Sequence, residues 1–167
     1  MDKPTWVVDK SQSQVYAAVN HVKGSFPSYE ATIEAEADHL VTANISFNVD
    51  LSTIQTGNKE LDAHLVSEKF FDVEKYAEVR FIANNILDQE NGQYELVGDL
   101  SLHGVTRTES FFVTFNEKQN SDTGKTARLQ AKAVIKRSDY GLTLETGGVH
   151  IEDDVEIVLD LQLVKAA

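Results

Sequence analysis

Apolar residues fall on every second position through most of this chain. The clearest run is the last: Val155, Ile157, Leu159, Leu161 and Leu163 alternate with Glu156, Val158, Asp160, Gln162 and Val164. A period of two puts one face of a β-strand in an apolar interior and the other mostly in water. Where most of a chain carries this pattern, its sheet must wrap around its own apolar faces. The functional question is then whether the interior holds side chains alone or a ligand as well.

The same alternation recurs from the N-terminus onward. Trp6 and Val8 start one strand and Val15, Ala17 and Val19 a second. Tyr29, Ala31, Ile33, Ala35 and Ala37 form another run, as do Ile45, Phe47, Val49 and Leu51. Val79 and Phe81, then Tyr94, Leu96, Leu100 and Leu102, then Phe111, Val113 and Phe115 follow, before Leu129, Ala131, Ala133 and Ile135. The inward parity is odd for most strands and even at Trp6 and from Tyr94 to Leu102. Lys23-Gly24, Pro27-Ser28, Asn91-Gly92, His103-Gly104 and Gly147-Gly148 carry turn chemistry, and residues 117–125 read as a polar loop. The count is about nine short strands. Short connections favour antiparallel neighbours, and closing the sheet removes two reactive edges. The expected fold is all-β, an antiparallel barrel of about eight strands.

One stretch breaks the period. Asn58 can cap a helix whose first turn carries Glu60 and Asp62, the charge that the helix dipole favours there. Leu61 and Leu65 lie four apart on one face. This predicts a helical insertion near residues 59–72, with helix from about Lys59 to Ser67, closed by Phe70-Phe71-Asp72.

Composition narrows the function classes. The 167 residues are 41% hydrophobic and 25% charged, as expected of one globular domain over residues 1–167. A net charge of -12 argues against nucleic acid as a partner and against docking on anionic membranes. The absence of cysteine rules out disulfides and thiol chemistry. No apolar run approaches the ~18 residues that span a bilayer. The N-terminus has no apolar signal core, so a cytoplasmic protein, or a mature periplasmic form with a new start methionine, is expected. The five histidines (His21, His39, His64, His103 and His150) show no zinc-like spacing. No nucleophile elbow, phosphate loop or dinucleotide glycine pattern is present, so no catalytic residue, cofactor or metal is assigned.

Four segments in order carry a resemblance. The first is Trp6-Val7-Val8-Asp9 with Ser13, Val15, Val19, His21, Gly24 and Phe26. The second is Asp62, His64-Leu65, Ser67, Phe70-Phe71-Asp72-Val73, Tyr76 and Phe81. The third runs from Gly98 to Arg107 as Gly-Asp-Leu-Ser-Leu-His-Gly-Val-Thr-Arg. The fourth is Arg137-Ser138-Asp139-Tyr140-Gly141, followed by Asp154-Val155-Glu156-Ile157. The set resembles the YceI-like proteins, lipocalin-like bacterial barrels associated with polyisoprenoid and other amphiphilic lipids. The chain departs from that pattern at Leu61, where the family often has arginine, and at Ala77 and Thr108, where it often has proline.

The resemblance implies a barrel with a hydrophobic tunnel that holds an isoprenoid or acyl-chain lipid, tail inside and head near one opening. The tail would then touch Val15, Ala17, Val19, Phe47, Val49, Phe81, Leu96, Leu100, Phe111, Val113, Leu129, Ala131, Ala133, Ile157, Leu159 and Leu161. Leu65, Phe70 and Phe71 would complete the lining from the helical insertion, either as a packed clamp or as a gate. His21, His64, His103 and Arg137 are the expected headgroup contacts, each with a structural hydrogen-bonding role as its alternative. The function expected is carriage or storage of a long-chain amphiphile without chemistry. Two other readings use the same residues. One is an enzyme on a small apolar substrate, with His21 and Asp139 the first groups to inspect. The other is a dry-barrel stress-response or interaction protein. In that case Val134, Val158 and Val164 on the polar parity would mark an outer contact patch, or a homodimer contact.

Overall fold

The alternating runs form ten strands among the residues that the computed structural model describes, namely 5–19, 22–35, 37–67, 70–120, 124–142 and 153–165. In chain order they are β1 (Thr5–Val8), β2 (Gln14–Val19), β3 (Val22–Ser25), β4 (Tyr29–Glu34), β5 (Asn44–Asp50), β6 (Glu78–Asp88), β7 (Gln93–Leu102), β8 (Val105–Asn120), β9 (Gly124–Lys136) and β10 (Asp154–Lys165), with one helix, α1 (Lys59–Val66). From β4 to β10 each strand pairs antiparallel with the next. β1 pairs with both β4 and β10 and closes the ring. The result is a closed antiparallel barrel of eight strands. β2 continues the line of β1 beyond a 3-10 turn at Lys10–Gln12, pairs with β10 at Ile157↔Ala17, and carries β3 on its other side.

Local chemistry explains the joints. Asn91 and Gly92 both take positive φ in the turn between β6 and β7, and His103-Gly104 does the same between β7 and β8. Asn58 caps α1, its Oδ1 accepting from the backbone of Glu60 at 3.0 Å and Leu61 at 3.1 Å. The helix closes at Val66, with Phe70-Phe71 in the turns that follow.

Two sequence expectations need correction. Lys23-Gly24 is not a turn: both residues lie in β3, paired with Ala18 and Ala17. The glycine is there because Ile54 Cδ1 would stand 2.9 Å from a Cβ. Residues 117–125 are not all loop either. β8 and β9 run on as a hairpin, pairing Glu117 with Ala127 and Lys118 with Thr126. Ladder hydrogen bonds need no apolar side chains where a hairpin projects into water.

A third feature gave no pattern. A bulge between Ala83 and Asn85 switches the inward parity of β6, so that Phe81 and then Ile86 face the core. Gly98 lies against this bulge, where a Cβ would come within 2.2 Å of the Ile82 carbonyl oxygen.

The two ends of the barrel differ. At one, Trp6 packs edge-on to Phe115 with centroids 5.7 Å apart and donates its indole N–H to the Ala35 carbonyl at 3.1 Å. Buried Leu40, in a 3-10 helix at Ala37–Thr42, lies near this closed end. At the other end the segment between β5 and β6, including α1, lies across the bore. On the outer wall Phe112 and Val134 are each 59% exposed. Val158 is buried there without any second chain, between its cross-strand partners Tyr16 and Lys132.

Candidate functional site

The half of the barrel beneath α1 is hollow. A cavity of about 220 Å³ lies between β2, β3, β10 and the α1 segment. Ala17, Val19, Val22 and Gly24 form one wall, and Ile135, Val155 and Ile157 another. Leu61, Leu65, Phe70 and Phe71 come from α1 and the turn after it, and Leu51 and Ile54 from the segment before it. Ala17 and Gly24 face each other across β2 and β3, so two of the smallest side chains leave the space.

The α1 segment is braced within itself and tied to β3 by one backbone pair. Asp62 Oδ1 accepts from the Thr56 backbone at 2.9 Å and from its hydroxyl at 2.6 Å. Gln55 exchanges backbone hydrogen bonds with Ser25 of β3, at 2.9 and 3.0 Å. Phe71 donates its backbone N–H to Leu65 at 2.9 Å, and its ring meets Phe70 edge-on at 4.6 Å. Both rings therefore sit on the cavity wall as part of a braced layer.

Arg137 is the single charged residue among the described cavity-lining residues; Thr56 is the other polar one. Arg137 follows β9 and is half-buried in the turn at Arg137–Tyr140. Its Nη1 donates to the Leu142 carbonyl at 3.0 Å, a bond that fixes the turn. Asp139, two residues on, approaches Arg107 at 3.7 Å.

The predicted site residues divide into three groups. Ala17, Val19, Leu65, Phe70, Phe71, Ile157 and Arg137 line the large cavity. Phe47, Leu96, Phe111, Val113, Leu129, Ala131, Leu159 and Leu161 surround a second space of about 20 Å³ toward the Trp6 end. Val15, Val49, Phe81, Leu100 and Ala133 line neither and are packed in the core. His103 does not reach either space. Its Nδ1 lies 3.0 Å from the Tyr140 carbonyl and its ring meets Tyr76 at 4.8 Å. His64 is half-buried on α1 and lines neither cavity. His21 lies outside the described residues. Leu51, Val79, Leu102, Ile135 and Val155 also face the large cavity. Their place on the inward parity is the signal that finds them. Ile54, Thr56 and Leu142 lie in irregular segments and have no such signal.

The groups with chemistry to offer lie elsewhere. Burial pushes the Tyr140 phenol well above the ordinary tyrosine range, and its hydrogen bond to the Glu109 carboxylate adds to the shift. Neither residue lines the cavity. Among the described residues no three histidine, aspartate or glutamate side chains converge as a metal site would require.

The family model described as YceI-like domain matches residues 6–163. The chain belongs to the YceI-like family. Among curated relatives of this YceI-like chain, a UPF0312 protein of Staphylococcus aureus strain MSSA476 is 31% identical over 144 residues, 83% of this chain and 81% of that protein. Among solved structures, Burkholderia cenocepacia BcnA superposes with a TM-score of 0.83 at 21% identity, covering 93% of this chain and 99% of that one. A Saccharophagus degradans domain, described as polyisoprenoid binding and implicated in plant cell wall breakdown, gives a TM-score of 0.65 at 15% identity over 96% of this chain and 98% of that one. At these identities the structures speak for the YceI-like fold alone.

Proposed function

We propose that this YceI-like barrel binds an amphiphilic lipid, taking its apolar end into the large cavity and leaving its polar head at Arg137. One observation carries the reading: an apolar cavity of about 220 Å³ with a single guanidinium among the described residues of its lining. An apolar space of this kind excludes water and favours hydrocarbon. A guanidinium pairs with a carboxylate or a phosphate in bidentate geometry. The ligand class is therefore an anionic isoprenoid or acyl-chain lipid. The polyisoprenoid-binding description of the Saccharophagus degradans neighbour supports the same class.

Binding would be reversible, which suits carriage or storage. An enzyme in the same cavity needs a titratable group aimed at its substrate. The described lining offers no carboxylate, imidazole, phenol or amine. That observation favours a binder over a catalyst.

The test is native mass spectrometry and organic extraction of the protein from its own cells. Recovery of an anionic lipid in stoichiometric amount is expected. Protein that carries no lipid and binds no added alkanoate overturns the proposal.

A further inference from the structure

The cavity has a floor. On β6, Val79 faces the cavity, while Phe81, two residues on, is fully buried. On β10, Ile157 faces the cavity and Leu159 already belongs to the small space beyond. Three rings stand between the two spaces or border the lower one. Phe47 stacks on Phe81 at 5.3 Å and 25°, and Phe111 meets both edge-on, at 5.3 Å from Phe47 and 4.7 Å from Phe81. They come from β5, β6 and β8. They form one aromatic block in a barrel of this width. The space past them, about 20 Å³, has room for one water and not for a chain.

We infer that Phe47, Phe81 and Phe111 act as a chain-length ruler, so that the barrel encloses only a short apolar segment. The inference rests on the lipid-binding reading and sharpens its ligand class. A cavity of roughly 150 Å³ holds a benzene ring, so the space here holds about nine carbon atoms. That is a medium acyl chain or about two isoprene units. A longer tail leaves its remaining carbons outside the cavity, where they gain no burial. The rings do not yield easily to a tail pressing from above, because the space beyond them, about 20 Å³, is too small to take a displaced ring.

Isothermal titration of the full chain with sodium hexanoate, octanoate, decanoate, dodecanoate and hexadecanoate, each below its micelle concentration, tests this. Affinity should rise about fourfold per added methylene and then level off near nine carbons. Phe81→Ala should move the plateau to longer chains. Ala17→Phe, which fills the cavity from its wall and leaves the floor intact, should move it to shorter ones and serves if Phe81→Ala does not fold. Affinity that climbs without a break to hexadecanoate in the unaltered protein overturns the ruler and leaves lipid binding standing. So does a plateau that Ala17→Phe leaves in place. Absence of binding at every length overturns both.

Discussion

Phe81 and Phe111 meet with ring centroids 4.7 Å apart and planes inclined at 63°, and both are shut off from solvent. The contact marks the boundary between a packed half of the barrel and a hollow one. Truncation should therefore cost very different amounts on the two sides of it. Phe111→Ala should cost about 3–5 kcal/mol, since it removes a ring with neighbours all around. Leu61→Ala, at a wall that already faces space, should fall below the usual range of about 2–5 kcal/mol for such a change. Urea denaturation of the two variants checks this, and equal losses contradict a hollow upper half.

Tyr140 should make the barrel sensitive to alkali. Its phenol is held neutral in the folded protein by burial and by the Glu109 carboxylate, so its folded pKa lies above the unfolded value near 10. The stabilisation is complete below that unfolded value and declines as pH rises past it, because the unfolded chain then releases a proton that the folded one keeps. The decline has a slope of roughly 1.4 kcal/mol per pH unit. Tyr140→Phe should be less stable at pH 7, by about 1–3 kcal/mol for the hydrogen bond lost to a part-buried carboxylate. It should also lose less stability above pH 10. Denaturation midpoints of both proteins from pH 7 to 11 supply the comparison, and parallel curves contradict it.

Two strand glycines should respond differently to a methyl group. At Gly98 a Cβ meets the Ile82 backbone carbonyl at 2.2 Å, and the bulge there cannot move without breaking the β6–β7 ladder. Gly98→Ala should cost about 3 kcal/mol or more. At Gly24 the obstacle is the tip of Ile54, 2.9 Å away, which can turn into the cavity. Gly24→Ala should cost less than about 1.5 kcal/mol and should narrow the space for ligand. Thermal melts of both variants read the difference.

Arg137 should set the sign of the headgroup. Octanoate should bind the unaltered protein more tightly than octylamine. Arg137→Gln should weaken octanoate about tenfold, the scale of one charge-assisted hydrogen bond. Arg137→Lys, which keeps the charge and loses the bidentate fork, should restore only part of it. Titration calorimetry gives all three values, and equal affinity for the two octyl compounds contradicts a headgroup role.

Most of the barrel was legible because its constraints are local and periodic. The alternation at Leu129, Ala131, Ala133 and Ile135 gave the inward face of β9 directly, and each of these residues is buried. Asn58, Asn91-Gly92 and His103-Gly104 announced the helix start and two turns through their own chemistry. The division of the interior was not legible. Small residues line both halves of the bore: Ala31 and Ala131 lie in the half that the aromatic block fills, with Phe47 paired directly to Ala31, whereas Ala17 lies in the hollow half. Which void a small residue leaves depends on the side chain that reaches across the bore, and no spacing along one strand encodes that. The room lies by Ala17, on the inward face that the alternation assigns to β2, and by Gly24, where the sequence suggested a turn. The switch of parity at Ala83 to Asn85 was hidden for a related reason, since one extra residue in a strand leaves no mark on composition.

The central claim is that the hollow half of the barrel holds the apolar end of an anionic amphiphile. An electron-density map from crystals grown with octanoate tests it most directly. The expected result is continuous density for the alkyl chain between Leu65, Phe71 and Ile157, with the carboxylate within hydrogen-bonding reach of Arg137 and the chain end above Phe81. Octanoate bound only outside the barrel, or a cavity that stays empty at saturating octanoate, contradicts the claim.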